Sequence, residues 1–134
     1  MDRKTARAQA MKLIYEWEMG GDGGEDTRFE LLEIKHGEPE EDFMNLLAEG
    51  VKDHVEALDQ QLVPYLRGWT LDRLTRVDLA ILRIAAYELN YTKTPVGIVV
   101  NEAVELANLY STDKAGAFVN GVLGNLARSL GDDR

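Results

Sequence analysis

Apolar residues recur at three- and four-residue steps along almost the whole chain, and no stretch alternates apolar and polar side chains long enough to make a strand. That periodicity confines the chain to packed helices. The widest stripe is Leu74, Val77, Ile81, Leu82, Ala85 and Leu89, which predicts a central helix with Thr70 as its N-cap and Asp72 in its first turn. Ala6, Ala10, Leu13, Ile14 and Trp17 share one face of a first helix over roughly 4–18, with Arg3, Lys4 and Arg7 beside them and Tyr15 off the apolar stripe. Four glycines between Gly20 and Gly24 read as a loop, because the entropy lost in ordering them is too large for a helix. A short helix over roughly 26–35 follows, and Pro39 then opens a longer one that runs to Leu62, before Pro64. Thr94-Pro95 and Ser111-Thr112-Asp113 mark two further starts, and Gly131 closes the last helix. Six to seven helices with short connections make an all-α helical bundle, a single domain over 1–134.

The charge is unevenly spread. Residues 1–15 carry a net +3, residues 16–59 a net −12 and residues 60–134 none, for a total of −9. An acidic body repels polyanions, but the field at a groove is set by charges within roughly 8–10 Å, so a basic first turn remains compatible with a small nucleic-acid site. Charge alone leaves a solvated helix face as the alternative. The chain has no cysteine, which excludes a thiol nucleophile, a thiolate zinc site and redox chemistry. Charged residues break every apolar stretch, so no membrane span is expected. The start Met1-Asp2-Arg3-Lys4 lacks the apolar run of a signal peptide, and a cytoplasmic setting follows as an expectation.

Nothing in the sequence assembles a catalytic centre. His36 belongs to a turn, and His54 lies on an apolar stripe, where a histidine is usually a satisfied, partly buried side chain. Glu102 and Glu105 lie one turn apart, but a di-metal bundle would require a Glu-x-x-His pair on each of two helices. The only such spacing, Glu33 to His36, falls in a short helix that ends in a turn. We therefore expect a non-enzyme without metal or cofactor.

Four blocks together carry a family resemblance. They are Ala6-Arg7 with Leu13-Ile14-Tyr15-Glu16-Trp17, the run Val77 to Leu89, Pro95 leading to Val100-Asn101-Glu102-Ala103-Val104-Glu105-Leu106-Ala107, and Phe118-Val119-Asn120-Gly121-Val122-Leu123. In this order and over nearly the full length, the chain resembles the NusB family. The resemblance implies a transcription antitermination factor built from two three-helix subdomains. It also implies binding to single-stranded boxA RNA, chiefly in ribosomal RNA leaders, together with the small-subunit ribosomal protein NusE, within the RNA polymerase antitermination complex. Carried over by position, the family's arginine-rich motif falls on Arg3, Lys4 and Arg7, and its RNA-facing aromatics on Tyr65 and Phe118. Its partner-binding positions fall on Tyr15, Asp72 and Asp78. Periodicity alone would put Phe118 in the core. NusB-like members occur as monomers and as homodimers, and the sequence does not select between them. Two other roles stay open: a helical protein-interaction adaptor without RNA contact, and the NusB-like domain of an RNA cytosine methyltransferase, which would need a longer chain with a cofactor-binding α/β region.

Overall fold

The computed structural model describes residues 1–21 and 37–131. Within them lie five α-helices and no strand: α1 (Arg3–Glu18), α2 (Glu41–Leu62), α3 (Arg76–Tyr91), α4 (Val96–Tyr110) and α5 (Ala115–Leu130). The all-α bundle expected from periodicity is present. The helix expected over 26–35, and Asp22–Gly24 of the glycine loop, lie outside the described residues. α3, α4 and α5 pack on one another as a three-helix group, while α1 and α2 pack on each other and on α3. No described helix is long and apolar enough to cross a membrane.

α3 touches all four other helices. Every residue from Asp78 to Leu89 is buried, so this helix has no solvated face, as its wide stripe predicts. Its start differs from expectation. Thr70 does not cap it; Leu71–Arg73 form a single 3₁₀ turn, Leu74 is extended, and the N-cap is Thr75. The Thr75 hydroxyl accepts the Asp78 backbone N–H at 3.0 Å. Arg76 holds the turn away from helical geometry by donating to the carbonyls of Leu71 and Leu74, each at 2.8 Å.

At the other end of the chain, the carboxylate of Asp2 caps α1 by accepting the Thr5 N–H at 2.7 Å. α2 is kinked at His54, whose φ of −122° is not helical. The His54 Nδ1–H donates to the Gly50 carbonyl at 2.9 Å, the acceptor that the helix ladder would otherwise use. The imidazole lies against Tyr91 and Tyr87, with centroids 4.5 and 5.9 Å away. Gly50 permits this approach: a Cβ there would sit 2.2 Å from the Tyr87 ring. Burial, followed by the charges of Tyr91 and Asp53, pushes the Tyr87 phenol above its ordinary pKa.

Candidate nucleic-acid interface

The three cations of the first turn are each engaged by an acid. Arg3 Nε meets Glu40 Oε2 at 2.9 Å, and its guanidinium lies 4.0 Å from the centre of the Phe43 ring. Lys4 Nζ bridges Glu105 and Glu102, the latter at 3.4 Å. The hydrogen bond and charge of Lys4 hold the Glu105 carboxyl below its ordinary pKa, and the two glutamates raise that of Lys4.

Arg7 is the exception to surface placement. It is 5% exposed and grips Glu88 of α3 with two hydrogen bonds, Nε to Oε2 at 2.8 Å and Nη2 to Oε1 at 2.9 Å. Burial works against its charge, but Glu88 outweighs this and raises the guanidinium pKa. Arg7, carried over from the family's arginine-rich motif as an RNA contact, is thus neither on a solvated face nor free for a phosphate: its position on α1 turns it inward onto α3. Arg3 and Arg7 do share an open groove of about 500 Å³ with Phe43, Lys93, Pro95 and Ile98.

Phe118 and Tyr65 lie elsewhere. Phe118, in the first turn of α5, is half-buried and lines a cavity of about 390 Å³ whose other walls include Trp69, Arg73, Thr75, Asp78 and Lys114. Tyr65 is half-buried in a 3₁₀ turn, Val63–Tyr65, that packs on α5. Trp69 is 53% exposed. Arg67 stands at a left-handed φ of 54°, and its guanidinium covers Gly121 so closely that a Cβ there would lie 2.5 Å from Nη2. Arg67, Arg73 and Lys114 make no ion pair with any described residue.

The first-turn cations and Phe118 thus mark two places rather than one, and Tyr65 lines neither cavity. Arg7 holds α3 at Glu88 and the Phe118 cavity meets it at Asp78, ten residues or about 15 Å along the helix. Trp69, Arg67, Arg73 and Lys114 were not singled out from the sequence. The available signal was local: Tyr65, Arg67, Trp69 and Arg73 interleave aromatic and basic side chains within nine positions.

Of the residues expected to meet a protein partner, Tyr15 is 39% exposed and lines a cavity of about 190 Å³ with Met11, Lys12, Val77 and Tyr110. Asp72 is exposed in its 3₁₀ turn. Ion pairs at 3.0 Å from Glu18 to Arg76 and Arg83 draw the end of α1 to the start of α3, so Tyr15 and Asp72 belong to the same end of the molecule. Asp78 does not share that exposure. It is 8% exposed, because its place in the capped first turn directs it into the Phe118 cavity.

The NusB family model matches residues 4–128. Transcription antitermination protein NusB of Staphylococcus haemolyticus is 42% identical over 132 residues, covering 94% of this chain and 99% of the relative. Among solved structures, one of antitermination factors NusB and NusE in complex with dsRNA superposes with a TM-score of 0.82 at 31% identity, over 95% of this chain and 96% of that one. NusB of T. maritima superposes with a TM-score of 0.81 at 29% identity, over 96% and 92%. With the family match spanning nearly the whole chain and relatives this close, the chain belongs to the NusB family.

Proposed function

We propose that this chain is a transcription antitermination factor that binds boxA RNA of nascent ribosomal transcripts together with NusE, within the RNA polymerase antitermination complex. The names of its relatives support the role, and the RNA and NusE present in a similar structure support the partners. The observation that carries the reading is the Phe118 cavity, where two aromatic walls stand beside Arg73 and Lys114, which make no ion pair with any described residue. Stacking an unpaired base on an aromatic ring contributes about 1–3 kcal/mol. Two or three phosphates held by Arg67, Arg73 and Lys114 give a log–log salt slope of roughly −1.4 to −2.1 for a single strand. That is weak binding. Tyr15 and Asp72, at the same end of the molecule, are assigned to NusE, whose bound surface would lie beside the RNA and tighten it. By linkage, RNA tightens NusE by the same factor.

Mobility-shift titration of a boxA oligonucleotide, with and without NusE, tests this. Phe118→Ala and Lys114→Ala should each weaken binding by roughly tenfold, the scale of one stacking or charge-assisted contact. Unchanged affinity in both variants refutes the site. Equal binding of boxA and a scrambled RNA favours an adaptor instead.

A further inference from the structure

Asp78 is a buried carboxylate with an unfilled requirement. It is 8% exposed, its backbone N–H is taken by the Thr75 hydroxyl, and its Oδ1 is closed off from solvent without any hydrogen-bond partner. An unpaired polar atom in such a place is costly unless a donor reaches it. Asp78 also lines the cavity walled by Trp69 and Phe118, and the terminal torsion of an aspartate is broad, so a small turn brings that oxygen to an occupant.

The rest of the cavity says what the donor belongs to. An incoming lysine or arginine would face Arg73 and Lys114 at the same walls. A planar group carrying N–H at one edge and a phosphate at the other meets complementary chemistry throughout: rings for its faces, a carboxylate for its donor and cations for its anion.

We propose that this cavity reads a nucleobase, with Asp78 accepting a hydrogen bond from the exocyclic amino group of an unpaired base. The proposal rests on the RNA-binding reading above and adds selectivity to it. Cytosine, adenine and guanine each carry such an amino group. Uracil carries none; its one edge donor, N3–H, is flanked by two carbonyl oxygens that repel the carboxylate, so the pocket disfavours it. Asp78 is then a specificity-determining residue of the RNA site rather than a contact for the protein partner.

The test uses the full chain and short single-stranded oligonucleotides of cytidine or of uridine, followed by fluorescence with Trp69→Phe as the control for the reporting ring. The wild-type protein should prefer the cytidine oligomer on the order of tenfold, the scale of a charge-assisted hydrogen bond. Asp78→Asn presents a donor as well as an acceptor at the same place, so the preference should fall to within about twofold through tighter uridine binding. Thermal melting should show Asp78→Asn folded and at least as stable as wild type, since the change removes an unpaired buried charge. Asp78→Ser, smaller and neutral, should also lose the preference. An unchanged preference in both variants overturns the proposal, as does its absence in the wild type. Loss of NusE affinity with the base preference intact would assign Asp78 to the protein partner and overturn it too. If Phe118→Ala and Lys114→Ala leave all RNA binding intact, the RNA site itself is misplaced, which is a separate failure.

Discussion

Arg7 separates a structural from an RNA-contacting reading of the first turn. Arg7→Ala leaves Glu88, 1% exposed, without the guanidinium that meets both its oxygens. Breaking a buried pair by removing one partner costs about 3–5 kcal/mol. Unfolding entropy of about 2.1 cal/mol/K per residue makes 1 kcal/mol worth roughly 3–4 °C in a chain of this size. Arg7→Ala should therefore melt about 10–18 °C below wild type. The apolar replacement Arg7→Met with Glu88→Leu should return most of that, because both charges of the buried pair leave together. Arg3→Ala, whose partner Glu40 is solvated, should cost less than about 1 kcal/mol. Calorimetric melting gives the first comparison. RNA titration well below the melting temperature gives the second, where Arg7→Ala should stay within about twofold of wild type, since no phosphate contact is lost. An Arg7→Ala protein as stable as wild type but weakened for RNA would refute the buried-latch argument.

Gly50→Ala places a Cβ against the Tyr87 ring and should destabilise by about 1–3 kcal/mol despite alanine's better helix propensity; pairing it with Tyr87→Leu should recover part of the loss, and urea denaturation reads both. The Thr5 N–H holds the Asp2 carboxyl below its ordinary pKa, so the cap's contribution is present above the usual carboxylate range and is lost as pH falls through the lowered folded value. Amide exchange at the start of α1 should therefore rise on acidification, relative to the slope expected for a free chain, and Asp2→Ala should abolish that pH dependence.

Periodicity was enough for the architecture because burial follows it directly: the stripe of α3 is buried from Asp78 to Leu89, and Ala6, Ala10, Leu13 and Ile14 of α1 all lie in the core. Boundaries were less legible. Thr70 and Thr75 both offer a hydroxyl followed by an acid, and the choice falls to Arg76, which binds the carbonyls of Leu71 and Leu74 across the turn. The burial of Arg7 was illegible for a related reason. A cation beside an apolar stripe looks solvated until its partner is known, and Glu88 is distant in sequence and itself sits on a wholly buried helix. Phe118 shows the opposite error of pure periodicity, since it falls on the apolar stripe of α5 yet lines an open cavity. The grouping of Trp69, Arg73 and Lys114 depends on how the Leu62–Thr75 connection crosses the starts of α3 and α5, which no helical period encodes.

Lys4 shows how the acidic body meets an RNA ligand. Its ammonium is shared by Glu102 and Glu105 of α4, so a phosphate can use it only by displacing carboxylates that are already in place. Arg3 is partly committed in the same way, through its Nε to Glu40, whereas Arg73 and Lys114 at the Phe118 cavity make no ion pair with any described residue. Glu102→Gln with Glu105→Gln removes that competition without touching either cavity. If the RNA path runs from the Phe118 cavity along α3 to the first turn, the freed ammonium adds one phosphate contact, and the log–log salt slope steepens by about 0.7. Affinity at low salt should rise several-fold, while the preference between cytidine and uridine oligomers stays as in wild type. A slope unchanged by the double substitution would place the first turn off the RNA path, leaving its cations to fasten α1 to α2 and α4.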